Sequence, residues 1–322
     1  MESATKNKQT RENIFKMIQK AFGREIVFSD FSVKERTEGY FNVAYEVLLP
    51  GKEVILKIAP PKNSKVMTYE QDMMKAEVNA LRLVKDKTKV PVPAIIFYDD
   101  THSICDVDYF FMDKLPGDSF YKLRCNGMAQ DKQDSILTEI GRYNAEMNQI
   151  TGAVYGYIGL EDKQGANWKD TFLSMMKDIL ADGEKVEIGL GFGYDEVRKL
   201  LEKASFALEE VKQPSFVHWD LWDGNVFVQE DKISGIIDFE RAIWGDPLME
   251  YFFRAHCHNE NFIKGYGLDL RKEAPVRALL YDMYLYLIMV IETKYRNYSD
   301  DWQIHFATEK LAIAVNELKK LL

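Results

Sequence analysis

The sequence predicts an α+β chain of two unequal lobes: a small β-rich N-lobe over residues 1–115 and a large, mostly helical C-lobe over residues 116–322. Three observations predict it. Strand-like alternation dominates the chain before Pro116-Gly117, a break signal. Apolar stripes at helical spacing dominate after it. One polar segment, from Phe216 to Glu240, sets short carboxylate and amide side chains on turns between apolar runs.

In chain order, Ile14, Ile18 and Phe22 recur at helical spacing and predict a leading helix over about residues 6–22. From Ile26 to Leu49 the pattern is β-like, with Tyr45, Val47 and Leu49 alternating, and Pro50-Gly51 turns the chain. Glu53 to Ala59 is the next strand. Val54, Leu56 and Ile58 point one way, and Ile55, Lys57 and Ala59 the other. Pro60-Pro61 ends it, and Tyr69 to Lys85 reads as a helix striped by Met74, Val78, Leu81 and Val84. Two more strands follow at Ile95–Tyr98 and Tyr109–Met112. In the later part, helical stripes run through Ile136, Ile140, Tyr143 and Met147, then Phe172, Met175, Met176 and Ile179, then Val197, Leu200, Leu201 and Ala204. A hairpin from Val226 to Ile237, turning at Glu230-Asp231-Lys232, interrupts them, and helices resume near Pro247.

With 46% hydrophobic and 13% aromatic residues in 322, the chain has ample material for a packed core. A net charge of −9 argues against nucleic-acid binding through a basic surface, and it suits a soluble protein and a small cationic partner alike. Three scattered cysteines, Cys105, Cys125 and Cys257, fit free thiols in a reducing cytoplasm. The polar start from Met1 to Arg11 lacks an apolar signal core. The longest apolar run, Ala278 to Ile291, contains Asp282 and three tyrosines, so it reads as a buried helix rather than a membrane span. No membrane partner is expected, and the sequence leaves the oligomeric state open.

The chemistry concentrates in the polar segment. Asp220 stands five residues before Asn225, and Asp238 follows the hairpin. Phosphoryl transfer needs this set: one carboxylate to orient a hydroxyl, and an amide and a second carboxylate to hold Mg²⁺ against nucleotide phosphates. In the first lobe, Lys57 sits mid-strand, as an edge lysine facing solvent or as an inward one. Glu77 shares a helix face with Met74 and Leu81. A buried carboxylate needs a partner, and an inward lysine supplies one. The loop Glu38-Gly39-Tyr40-Phe41-Asn42 links two strands one hairpin ahead of Lys57. It suits a phosphate-covering loop or an ordinary turn.

Taken together, these motifs resemble the aminoglycoside phosphotransferase (APH) family of kinase-like small-molecule phosphotransferases. His218-Trp219-Asp220-Leu221-Trp222-Asp223-Gly224-Asn225 resembles its His-x-Asp-Leu-x-x-x-Asn loop, Ile237-Asp238-Phe239-Glu240 its metal segment, and Gly245-Asp246-Pro247 the Gly-Asp-Pro beyond. Gly39 to Asn42, Ile55-Leu56-Lys57, Lys75-Ala76-Glu77 and Phe111 to Gly117 resemble the nucleotide loop, lysine strand, acidic helix and inter-lobe segment. The resemblance implies a two-lobed protein-kinase-like fold and an Mg²⁺-dependent kinase using ATP or GTP. Its acceptor would be a hydroxyl of an aminoglycoside, another antibiotic, an amino alcohol or a sugar. Asp220 would accept the hydroxyl proton, and Asn225 and Asp238 would bind Mg²⁺. Lys57, held by Glu77, would contact phosphates under Gly39 and Asn42. Main-chain groups near Asp113 and Leu115 would meet the purine, and His218 and Asp246 would support the loop.

Trp219 stands where the family commonly has glycine, and Trp222 is also bulky. The pair resembles fructosamine-kinase-like and sugar-kinase branches as much as the antibiotic-resistance branch. Both tryptophans can pack in the core or stack on a ligand. Glu250 and Glu260 are candidate contacts for a cationic acceptor by position. Two rivals remain: a catalytically inactive kinase-like nucleotide binder and a metal-dependent hydrolase using His218, Asp220 and Asp238. His256-Cys257-His258, the glycines 189, 191 and 193, and Tyr281, Tyr284 and Tyr286 read as structural.

Overall fold

The computed structural model describes residues 5–37, 41–298 and 301–322. Helix α1 (Arg11–Phe22) starts five residues later than the apolar spacing suggests, because the Thr10 side chain caps it by accepting the Asn13 amide at 3.2 Å. Strands β1 (Ser32–Arg36), β2 (Val43–Leu49) and β3 (Lys52–Ile58) follow, then α2 (Met73–Lys87), β4 (Ile95–Asp99) and β5 (Tyr109–Asp113). Helix α2 starts at Met73 rather than Tyr69. Asp72, with φ 53°, separates it from a 3₁₀ turn at Thr68–Glu70.

The five strands form one antiparallel sheet in the order β1-β2-β3-β5-β4. Lys57 therefore lies on the central strand, opposite Ala44 and Phe110, and is no edge residue. Strand alternation divides the neighbours as the sequence predicts. Val54, Leu56 and Ile58 join Ile14, Met17 and Ile18 of α1 in one core. Ile55 packs with Met74 and Val78 of α2, Phe110 and Met112 in another. The sheet is a wall with α1 outside and α2 inside, and Lys57 emerges on the α2 side.

Beyond Asp113 come β6 (Asp118–Ser119), α3 (Phe120–Cys125), α4 (Gln130–Asn148), β7 (Gly156–Tyr157), α5 (Trp168–Lys185), α6 (Tyr194–Ala204) and β8 (Ser215–Val217). Then β9 (Val226–Gln229), β10 (Lys232–Ile236) and β11 (Ile243–Gly245) precede α7 (Glu260–Tyr266), α8 (Leu270–Glu273), α9 (Pro275–Arg296) and α10 (Trp302–Leu321). The β9–β10 turn is two residues long. Glu230 and Asp231 both take positive φ, 50° and 60°, as a hairpin of matching twist demands. The region from Pro247 to Phe253, expected to be helical, forms only two 3₁₀ turns, and α-helix resumes at Glu260. Two small sheets, β10-β9-β6 and β7-β11-β8, frame the polar segment. Helices α4 and α7 approach through glycines: a methyl on Gly141 would lie 2.1 Å from the Phe262 carbonyl oxygen. No described helix is long and apolar enough to cross a membrane.

The odd polar residue of the apolar α9 run, Asp282, is fully buried. It receives Arg254 at 3.1 Å and Arg271 at 2.6 Å. Arg254 also donates to the carbonyls of Ala278 and Leu248, so it pins the 3₁₀ turns after β11 to α9. Removing the carboxylate leaves a buried guanidinium without its counter-charge. Asp282→Ala is expected to lower unfolding free energy by about 3–5 kcal/mol, measured by urea titration. A midpoint unchanged from the parent would contradict this account.

Candidate active site

Strand β8 delivers the chain to His218, which is fully buried. Its Nε2 meets the Ile237 carbonyl at 2.9 Å and its Nδ1 accepts the Asp220 amide at 3.2 Å. The imidazole thus staples the loop to the end of the β9–β10 hairpin. Burial lowers its proton affinity, so it is neutral and its Nε2 carries the hydrogen. Trp219 follows in left-handed backbone, φ 67°, where a side chain costs energy. Glu250 holds the loop in this shape. Its buried carboxylate accepts the amides of Trp219 at 3.1 Å, Leu221 at 3.3 Å and Tyr251 at 2.9 Å, and the Asn144 side chain at 3.2 Å. Its expected role as a contact for a cationic acceptor is therefore corrected: both oxygens are committed to the loop. Glu260, the companion candidate, is exposed in the first turn of α7.

Downstream, Asn225 closes the loop. Its Nδ2 donates to the Asp220 carbonyl at 2.9 Å and to the Asp220 carboxylate at 3.2 Å, which turns its own oxygen the other way. Arg124 of α3 pairs with Asp223 and fixes the intervening 3₁₀ turn. The β9–β10 hairpin then returns the chain to Asp238, also in left-handed backbone at φ 63°. Its carboxylate meets the Lys57 ammonium, which in turn lies 2.6 Å from Glu77 Oε1. Lys57, Glu77 and Asp238 thus converge from β3, α2 and the hairpin. Asn42 adds a fourth link, donating to Glu240 at 2.7 Å. Gly39 lies outside the described residues.

The site holds more negative than positive charge. Burial works against the Lys57 charge, yet the Asp238, Glu77 and Glu240 carboxylates outweigh it and raise its proton affinity. Burial pushes the Glu77 carboxyl up to about 8, with Lys57 opposing. Lys57 is shared by several acids, and even with Arg241 acting on Asp220 and Glu240 the carboxylates outnumber the cations. Burial likewise pushes Asp220 up to about 7, opposed by Arg241 and reinforced by Asp238, Glu240 and Glu250. This surplus suits a cation. The Asn225 oxygen and the Asp238 carboxylate are hard donors of the kind Mg²⁺ takes, usually with phosphate oxygens completing the shell. Among the described residues, no group of three or more His, Cys, Asp or Glu could hold a metal alone.

The remaining expectations fall out unevenly. The Asp113 amide is used by the Ala94 carbonyl at 3.0 Å, whereas the Leu115 amide donates to no acceptor among the described residues. Asp246 ties its turn to α9, accepting Arg277 at 3.0 Å and the Tyr281 hydroxyl at 2.8 Å; the carboxylate that supports the loop is Glu250. Trp219 is core, with ring centroids 5.6–6.2 Å from Tyr284, Tyr157 and Tyr69. Trp222 is half-buried, 5.6 Å from the exposed Tyr121 ring. His256, Cys257 and His258 turn to three different partners: Tyr286, the Tyr251 carbonyl and Asp269. The role of Glu250 escaped the sequence reading. Its signal was a carboxylate inside the apolar run Leu248-Met249-Glu250-Tyr251-Phe252-Phe253.

A β-sheet lysine paired to a helix glutamate and to a carboxylate that follows an Asp–Asn loop is the arrangement expected of a kinase-like phosphotransferase. The family model described as the phosphotransferase enzyme family, APH, matches residues 32–272, and the chain belongs to that family. Among solved structures, it is similar to a putative fructosamine-3-kinase from Haemophilus somnus 129PT, with TM-score 0.68 and 17% identity over 95% of this chain and 97% of that one. It is similar to a thermostable mutant of aminoglycoside phosphotransferase APH(4)-Ia, with TM-score 0.66 and 15% identity over 96% and 99%. A streptomycin–ATP–APH(2")-IIa ternary complex aligns with TM-score 0.59 and 17% identity over 97% of each chain. No curated protein sequence matches the chain.

Glu250 makes a prediction of its own. Removing its side chain orphans three buried amides, at about 1–3 kcal/mol for each unsatisfied group. Glu250→Ala should destabilise the protein by about 3 kcal/mol or more and Glu250→Gln by less, both read from urea midpoints. Equal effects of the two variants would contradict the acceptor role.

Proposed function

We propose that this chain transfers the γ-phosphoryl group of ATP or GTP to a hydroxyl of a small molecule. The observation that carries the reading is the convergence of Lys57, Glu77 and Asp238 opposite Asp220 and Asn225. Neighbouring structures support a nucleotide donor, since one is described as a complex of APH(4)-Ia with ADP and hygromycin B and another as a streptomycin–ATP complex. The acceptor of this chain is a hydroxylated small molecule.

In this reading the free Leu115 amide meets the purine edge. Lys57, aligned by Glu77, turns its ammonium to the phosphates beneath the loop that ends at Asn42. Asn225 and Asp238 hold Mg²⁺, which when bound neutralises the phosphate charge. Asp220 orients the acceptor hydroxyl and takes its proton as the new O–P bond forms and the bond to the leaving diphosphate breaks. The products are the phosphorylated acceptor, the nucleoside diphosphate and one proton. Catalysis is mostly positioning: His218, Asn225 and Glu250 fix Asp220, and the Lys57 group fixes the phosphates.

Two variants test it. Asp220→Asn should keep nucleotide affinity within about threefold while phosphoryl transfer falls by about 10³ or more, followed by coupled nucleotide consumption and calorimetry. Turnover retained in this variant would refute the base. Asp238→Asn should abolish the Mg²⁺ dependence of nucleotide affinity. Superimposable Mg²⁺ titrations of variant and parent would sink the metal assignment.

A further inference from the structure

One buried cation near the candidate base has no role in the mechanism above. Arg241 ends the 3₁₀ turn that begins just after Asp238. Its side chain is only 14% exposed. Its guanidinium carbon lies 5.6 Å from the Tyr69 ring and 5.7 Å from the ring of Trp219, the residue before Asp220. Its charge acts directly on the Asp220 carboxyl.

Arg241 is badly satisfied for such a position. Among the described residues it makes no hydrogen bond, and its Nε is buried without a partner. Its nearest carboxylate oxygen, Glu292 Oε2, is 3.6 Å away and lies 3.4 Å from Arg296 as well. The cation–π contacts engage its charge but not its N–H donors. A guanidinium offers five donors in a planar fork, and burying them unpaired is costly. A carboxylate or a similar oxyanion is the group that fork matches.

The surroundings point away from a polycation. On the Tyr69 side of Arg241, the carboxylates of Glu70, Asp182 and Asp178 already have partners in the protein. Glu70 takes Arg296 at 2.5 Å and the Met67 amide at 2.8 Å. Asp182 takes the Thr68 amide and hydroxyl at 2.7 and 2.9 Å. Glu250 holds the loop. A pocket lined by Tyr69, Tyr157, Met175, Asp178 and Tyr284 adjoins the same rings, and its one acid, Asp178, pairs with Lys163 at 2.6 Å. On this side of the site an ammonium group of an acceptor would find Glu70, Asp182 and Asp178 already paired, whereas an oxyanion finds the Arg241 guanidinium.

We propose that Arg241 is a specificity-determining residue that binds an oxyanion of the acceptor, so that the substrate class is small hydroxy acids presenting a hydroxyl to Asp220 and a carboxylate to Arg241. This rests on the phosphotransferase reading above and narrows its acceptor. The other source of such an oxyanion is the transferring phosphoryl group itself, and the test separates the two.

The experiment uses the full chain, Mg²⁺ and ATP, and a panel of hydroxy acids each matched to its uncharged primary amide, with hygromycin B as the polycation. Nucleotide consumption should favour an acid over its amide by at least tenfold in kcat/KM. Arg241→Gln should erase that preference, chiefly through KM of the acid, and Arg241→Lys should restore part of it. In parallel, without nucleotide, the preferred acid should raise the melting temperature of the parent but not of Arg241→Gln. Preference for hygromycin B or for the amides would overturn the proposal. So would an acid preference that survives in Arg241→Gln, or an equal kcat loss for every acceptor, which assigns Arg241 to the phosphoryl group. Acid-dependent stabilisation without any nucleotide consumption would instead defeat the phosphotransferase reading while leaving the oxyanion site standing. Urea midpoints of the variants within a small margin of the parent establish that they fold.

Discussion

The shared ammonium of Lys57 is the constraint on which the rest of the structure depends. It belongs to both lobes at once: β3 carries it, α2 supplies Glu77 and the end of the β9–β10 hairpin supplies Asp238. Glu77 is fully buried, and its carboxylate would be costly without the ammonium. The ammonium therefore fixes how the sheet, the inner helix and the hairpin sit together. Asn42 with Glu240 repeats the same bridge one layer out, between the small sheet's second strand and the turn after Asp238. Burial raises the proton affinity of both Glu77 and Asp220, and the neighbouring carboxylates Asp238 and Glu240 add to it. The acids of the site are thus electrostatically linked, since a positive charge placed beside one of them relieves the others as well.

A second constraint shapes the loop around Asp220 from behind. The loop has no regular structure of its own, and its amides have no strand or helix to pair with. Glu250 acts as a substitute backbone, taking the loop amides of Trp219 and Leu221 as well as the amide of Tyr251 beside it. His218 performs the same service at the other end, joining the loop to the Ile237 carbonyl. Arg254 and Asp282 then anchor the segment carrying Glu250 to α9, so the longest helix of the chain stands three contacts behind the candidate base.

Much of this was legible in the sequence, for identifiable reasons. Period-two alternation placed Val54, Leu56 and Ile58 against one helix and Lys57 toward another, because a strand allows only two faces. The inward Glu77 announced a partner, because a lone buried carboxylate is too costly. The spacing of Asp220, Asn225 and Asp238 was readable because a turn and a hairpin fix their order. What escaped was long-range. Thr10 outweighed apolar periodicity at the start of α1, and Asp72 did so before α2. The 3₁₀ turns after Pro247 carry apolar residues that mimic a helical stripe. Glu250 and Arg241 were misplaced or overlooked because their partners lie far away in sequence or, for Arg241, are two aromatic faces contributed by different segments. Gly39 lies outside the described residues, so the nucleotide loop is known only from Phe41 onward.

Trp219 carries a consequence for how the position beside Asp220 responds to substitution. Its backbone is left-handed, a geometry in which glycine is the least strained occupant, while its indole fills a space walled by Tyr69, Tyr157 and Tyr284. Exchange for glycine would relax the main chain and empty that space in one step, two effects of opposite sign. The indole thus offsets by its packing the strain of its own backbone, and the turn beside the candidate base is kept by a side chain that the turn itself disfavours.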